Sequence, residues 1–346
     1  MPDLFVTNFN KNFTGVSATA TNVVRAQTDQ FDLRLVGQPL PGCPGPISVA
    51  QARAASRRPA SRPFAIWHVR RNTEMRAAIW ARDVLRLPIK TVFTSAAQRR
   101  HSAYPRWLIS RMDAIIATTS EAAAYVDNVW DVVPHGVDTG VFFPAPDPAL
   151  DWASLGYGGS RGVATIGRVR PEKGTDQFIA AMIALMQAGD TQTTALVIGK
   201  ASAEHSGFQK SLIEQVHQAG LAERILFPGE KSAEQLPQLM RSLSCVVQMP
   251  RYEGYGMVPL EAMASGVPFI ATDAGFFREF SCQSQTGSIV ATPAGAAAAL
   301  AALLADDAQH AAMRRTCRHQ AELNFSVAAE AAGINAVYER MWSGAV

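Results

Sequence analysis

The 346 residues predict an α/β protein of two domains, each built on a parallel sheet. Short apolar, β-rich runs alternate with helical stretches along the chain, the pattern of parallel strands joined by right-handed crossovers. The length exceeds what one hydrophobic core usually fills. A Pro-spaced stretch, Phe143-Pro144-Ala145-Pro146-Asp147-Pro148, reads as a rigid linker. Domains are therefore expected over residues 1–148 and 149–325.

In the amino-terminal half, residues 4–7 read as a strand, 8–13 as a polar loop, and 14–26 as a helix capped by Thr14 or Ser17. Gly15, at the turn after the first strand, allows close backbone approach to a phosphate or sugar. No G-x-G-x-x-G follows this strand, which disfavours a dehydrogenase-type dinucleotide site. Strands are expected at 32–37, 64–69, 89–94, 114–118 and 129–134, and helices at 48–55, 72–87 (capped by Asn72), 105–112 and 120–126 (capped by Ser120). The strand at 64–69 should deliver His68, Arg70 and Arg71 to the ligand-bearing edge of its sheet.

Composition narrows the function classes. With 48% apolar and 18% charged residues the chain buries proper cores and is not disordered. The four cysteines are scattered with no metal spacing, which points to structural thiols in a reducing compartment. Residues 1–10 lack the charged flank and apolar run of a signal peptide, and no apolar run approaches membrane-spanning length. A cytoplasmic protein, soluble or on a membrane surface, is expected. The net charge of +3 conceals an asymmetry: residues 50–111 hold fourteen Lys and Arg against Glu74 and Asp83 alone. Such a one-sided field serves an anionic partner: phospholipid headgroups, phosphorylated glycolipids or nucleic acid.

The second half opens with a strand at 163–166 running into Gly167-Arg168-Val169-Arg170-Pro171-Glu172-Lys173-Gly174 and a helix over 175–188. Arg168 and Lys173 there form a cationic loop able to neutralise a diphosphate as it leaves. Strands are expected at 194–199, 225–227, 244–249, 267–271 and 287–290. Helices are expected at 208–219, 232–243, 294–305, 308–320 and 327–342. The central stretch is 251–279, where Glu253-Gly254-Tyr255-Gly256 leads into a helix opening near Val258 with Pro259 at its first position. Free amides from Gly254 to Val258 suit a phosphate. Glu253 and Glu261, separated by seven residues, would repel that phosphate unless they accept hydrogen bonds from hydroxyls on either side of it. A nucleotide sugar has phosphates in the middle and hydroxyls at both ends.

Glu253-x7-Glu261 followed by Ala262-Met263-Ala264-Ser265-Gly266-Val267-Pro268 resembles the signature of retaining GT-B glycosyltransferases of family 4, and Gly167 to Gly174 is similar to that family's G-R-x-x-x-E-K-G loop. The resemblance implies two Rossmann-like domains with parallel sheets facing across a deep cleft, an acceptor-binding first domain, a donor-binding second domain, and a last helix (326–346) crossing back to the first. It implies catalytic roles for Arg168, Lys173 and Glu253. It implies donor contacts from Gly15, Gly199, Lys200, Gly229, Gly254, Tyr255, Gly256, Met257, Val258 and Glu261. His135-Gly136-Val137-Asp138 resembles the turn closing the family's first domain, with His in place of Asn. Phe93 stands where many relatives carry a sugar-contacting His; His68, with His101 as second choice, is the expected substitute. No Asp-x-Asp motif sits on a strand-end loop, so transfer without metal or other cofactor is expected, with a nucleotide sugar as co-substrate.

Thr7-Asn8-Phe9, Phe13 to Ser17 and Trp67 to Asn72 further resemble lipopolysaccharide-core mannosyltransferases. That implies GDP-mannose as donor, a Kdo-bearing lipid A core as acceptor, and a peripheral position on the cytoplasmic face of the inner membrane. Arg57, Arg58, Arg70 and Arg71 are the expected acceptor contacts, with no nucleic-acid role. Alternatives are a UDP- or ADP-sugar donor in polysaccharide synthesis, or a GT-B-fold epimerase or phosphorylase.

Overall fold

The computed structural model describes residues 2–12, 14–59, 62–97 and 99–344. Phe13 of the amino-terminal motif and the last two residues of the expected crossing helix lie outside them. The chain divides into two compact units, one ending at Gly136 and resuming at Phe325, the other Val137–Asn324.

The first unit holds β1 Leu4–Asn8, β2 Leu33–Gly37, β3 Ala65–Val69, β4 Ile89–Ser95, β5 Ala114–Ala117 and β6 Val129–Val132. They form one parallel sheet in the order β2-β1-β3-β4-β5-β6. Both faces are covered, so the strands alternate between two apolar cores. Leu4, Val6, Ile66, Val92 and Ile116 share one core with Val23, Val24, Ile334, Tyr338 and Trp342. Phe5, Trp67, Val69, Phe93 and Ile115 share the other with Met75, Ala78 and Leu108. The first core is closed by helices Gly15–Gln27 and Val327–Ser343, which Gln27 and Asn335 join by a 2.6 Å hydrogen bond.

The second unit holds β7 Arg161–Ile166, β8 Thr193–Ile198, β9 Ile225–Gly229, β10 Cys245–Gln248, β11 Phe269–Ala271 and β12 Gly287–Ile289. Its parallel order is β12-β11-β10-β7-β8-β9. Read from β9, this is the doubly wound dinucleotide-fold order, which reverses between β7 and β10. In the first sheet the reversal falls between β1 and β3.

Several local expectations need correcting. The boundary lies at Gly136 and not after Pro148, because the Pro-spaced stretch packs into the second unit: Arg318 Nη1 donates to the carbonyls of Thr139, Phe142 and Ala264. Pro148–Ser154 is itself a helix, with Asp147 Oδ1 accepting from the amides of Ala149 and Leu150, and Trp152 buried against Gly162. Thr119, not Ser120, caps the helix Ser120–Ala123. Asn72 is the first residue of its helix and no cap, and the helix passes into a π turn at Trp80–Val84. Met257 opens the helix that Pro259 was expected to begin, so Pro259 is its third residue, where an amide would still lack a partner.

Glu74 fixes the ligand-side edge of the first sheet. Fully buried, its carboxylate accepts from Thr7 Oγ1 at 3.0 Å, the Phe9 amide at 3.1 Å, the Arg70 amide at 2.8 Å and Arg71 Nη1 at 3.0 Å. Thus β1, its loop and the residues after β3 are tied to one group. Glu74→Ala should destabilise the protein by about 3–5 kcal/mol, because it leaves a guanidinium and two amides unmatched; urea unfolding measures this.

Candidate active site

Loops that follow β7 and β10 diverge at the order reversal of the second sheet, the position where open α/β sheets hold ligands. Backbone contact sets their spacing. Gly174 has φ +67°, and a Cβ there would stand 1.6 Å from the Met249 carbonyl oxygen. The Arg251 amide donates to the Glu172 carbonyl at 2.9 Å, and the Arg251 guanidinium grips Asp176 at 2.6 and 2.9 Å. The β7 loop is thereby laid against the β10 loop, and Lys173 Nζ meets Glu253 Oε2 at 2.6 Å. Glu253 Oε1 also accepts from the Gly254 amide at 2.8 Å. That amide is therefore not open to a phosphate as the sequence suggests; Met257 and Val258 begin the helix, and Pro259 has no N–H.

The neighbouring loops converge on the same edge. The Gly167 amide donates to the Ile198 carbonyl, Val169 to the Lys200 carbonyl and Gly199 to the Gly229 carbonyl. Gly199, at φ +142°, leaves no room for a side chain, since a Cβ would lie 1.9 Å from the Gly167 carbonyl oxygen. Arg168 and Lys200 are exposed here, and Arg168 has no side-chain partner among the described residues. Gly256, at φ +92°, opens the helix Met257–Ala264, and a Cβ there would meet the Phe277 ring. Tyr255 stacks on Phe276 at 5.3 Å. The Glu261 carboxyl, on the same helix, makes no hydrogen bond or ion pair among the described residues, and burial pushes it up to about 7. The second unit thus carries an exposed arginine without a side-chain partner, a Lys–Glu pair and an unpartnered carboxyl on the loops after β7 and β10 and on the helix that follows β10. A diphosphate could take the cations while sugar hydroxyls take the carboxylates.

The first unit treats its candidates differently. His68 is fully buried, with Nδ1 against the Tyr338 hydroxyl and Nε2 2.6 Å from Thr94 Oγ1. Both nitrogens are engaged, and burial holds the ring neutral, well below the usual imidazole range. It has no nitrogen to offer a substrate, so its expected catalytic role is corrected to a packing and positioning one. Arg71 is committed to Asn8, Thr14, Ser17 and Glu74, which pins the loop before the helix Gly15–Gln27. A Cβ on Gly15 would meet open space, so the approach to that helix start is unobstructed. Arg57 and Arg58 do not join Arg70 and Arg71. They are exposed in the turn before β3, whereas the other two follow β3. His101 and Arg70 instead line one hollow with Thr94 and His135.

Sequence reasoning missed Glu74, the Thr94–His68–Tyr338 chain, and the pairing of His135 Nδ1 with Glu330 at 2.8 Å. The His68 and His135 partners, 26 to 270 residues away, leave no local pattern; only the lone glutamate of an Arg-rich helix start could have drawn attention.

Two doubly wound six-stranded parallel sheets are the architecture of the GT-B class. The chain belongs to the family described as Glycosyl transferases group 1, whose profile matches residues 131–322; it is a glycosyltransferase. It is 39% identical over 350 residues to the lipopolysaccharide core biosynthesis mannosyltransferase LpcC of Rhizobium leguminosarum bv. viciae, covering 99% of this chain and 98% of that one. It is 40% identical over 351 residues to the lipopolysaccharide core biosynthesis mannosyltransferase LpsB of Rhizobium meliloti (strain 1021), covering 98% and 97%. Among solved structures, Anabaena Alr3699/HepE in complex with UDP superimposes with a TM-score of 0.81 at 17% identity, covering 98% and 100%.

The Glu261 carboxyl gives a signed pH test. Its folded value, about 7, lies above the ordinary 4.5. The stability it contributes is full below about pH 4.5 and is lost as pH rises through 7. Relative to Glu261→Gln, the wild-type thermal midpoint should fall between pH 5 and 8; parallel melting curves check this.

Proposed function

We propose that this glycosyltransferase moves mannose from GDP-mannose, with retention and without a metal ion, onto the Kdo-bearing inner core of lipopolysaccharide. The observation that carries the sugar and the acceptor is the likeness, over nearly the full length of both chains, to two mannosyltransferases of lipopolysaccharide core biosynthesis. The geometry supports the reaction. Arg168 and Lys173 neutralise the departing diphosphate, the task a divalent cation has elsewhere. Diphosphate binding draws Lys173 away from Glu253, whose carboxylate then turns to the sugar hydroxyls. Glu261 accepts from the ribose, and the amides of Met257 and Val258 face the phosphates.

Work on a glycolipid calls for a membrane-facing surface, proposed here as peripheral on the cytoplasmic side of the inner membrane. Trp80, Val84, Leu85, Tyr104 and Trp107 are 44–54% exposed on two adjacent helices of the first unit, amid Arg76, Arg86, Arg106 and Arg111. Aromatic side chains ringed by arginines suit an anionic lipid interface. No helix among the described residues is long and apolar enough to cross a membrane.

Calorimetric titration with GDP-, UDP- and ADP-sugars tests the donor. GDP-mannose should bind most tightly, and equal or tighter binding of a UDP-sugar sinks the assignment. Lys173→Ala should lower kcat/KM by about 10²–10³, read in a mannosyl-transfer assay with a lipid A core acceptor.

A further inference from the structure

Arg70 is unlike the other arginines of the first unit. Its side chain lines a hollow of about 210 Å³ at the carboxyl ends of the strands, with Val16, Phe93, Thr94, His101 and His135. Its guanidinium makes no hydrogen bond among the described residues, and Nη1 is buried without a partner. Two further buried polar atoms without partners, Ser95 Oγ and His101 Nε2, belong to the same strand end and the loop after it. The carboxylates that balance the Arg70 charge are engaged elsewhere. Glu74 holds Thr7, Arg71 and two amides, while Glu330 holds His135 and the Gly136 amide.

A guanidinium with a buried, unmatched N–H is costly, and partial burial lowers its proton affinity. The planar fork of an arginine is matched bidentately by a carboxylate or a phosphate. The hollow is smaller than the roughly 300–1,000 Å³ of a pocket that holds a whole ligand, so it takes one end of a larger molecule. Its wall of Val16, Phe93, Ala96 and Ala97 offers an apolar face for a sugar ring.

We propose that this hollow is the acid-recognition subsite of the acceptor, in which Arg70 binds a carboxylate or phosphate borne on the acceptor sugar. The subsite rests on the glycosyltransferase reading above and adds the chemical group by which the acceptor is selected.

The test titrates the full chain with sodium glucuronate, inorganic phosphate and glucose. Glucuronate or phosphate should bind and glucose should not. Arg70→Met should weaken that binding about tenfold or more. Val16→Trp alters an exposed rim residue without disturbing a buried charge and should do the same, so the proposal stays testable if Arg70→Met fails to fold. Preference for glucuronate assigns the site to a sugar carboxylate; preference for phosphate assigns it to a phosphorylated sugar. Glucose binding equal to both anions, anion binding unchanged in Val16→Trp, or no anion binding at all overturns it. GDP binding on the same samples reports the nucleotide-sugar reading separately: its absence from the wild type counts against that reading alone.

Discussion

Where a parallel sheet reverses its strand order, the connections of two adjacent strands leave in opposite directions and open a crevice at the carboxyl edge. The second unit depends on that constraint. The loops after β7 and β10 leave the edge side by side, and the only way to bring them closer is to remove side chains from their contact. Gly174 does this, where a Cβ would fall 1.6 Å from the Met249 carbonyl oxygen, and Gly199, after β8, lets its own loop approach the β7 loop in the same way at Gly167. Backbone approach of this kind makes the 2.6 Å Lys173–Glu253 contact possible from positions 80 residues apart. The pair neutralises a cation and a carboxylate whose side chains are 22% and 18% exposed, and the same carboxylate also accepts from the Gly254 amide.

The first unit solves a different problem at its own reversal, between β1 and β3. Its carboxyl edge carries two successive arginines, and bare cations this close would repel each other. Glu74 resolves this by taking Arg71 directly and the Arg70 amide with its second oxygen. Arg71 becomes a clamp on the loop before the helix Gly15–Gln27, while the Arg70 side chain is released into the hollow. The two neighbours in sequence thus differ, one bonded within the fold and one lining a hollow.

Periodicity made the architecture legible. Each of the twelve strands lies within a residue or two of its expected position, because strands buried on both faces of a sheet read as unbroken apolar runs. The loop after β7 and the Glu253–Glu261 spacing were legible as well, since loop chemistry there is local. What escaped was of two kinds. The Asp147-Pro148 helix start was read as linker, although an Asp cap followed by Pro at the first helical position is a start signal in its own right. Long-range polar pairing also escaped. Nothing near His68 in sequence announces that Tyr338 and Thr94 will take both of its nitrogens.

The correction at His68 reaches further than one residue. A strand-end histidine invites a catalytic reading, yet a ring that is fully buried and bonded at both nitrogens orients others and cannot shuttle protons to a substrate. Its effect is transmitted through Thr94, whose hydroxyl it holds and whose side chain lines the Arg70 hollow. Phe93, beside it on β4, lines the same hollow, so an arginine fork and an apolar ring share it. His101 and His135 line that hollow as well, so imidazoles stand beside the arginine fork on the same strand edge.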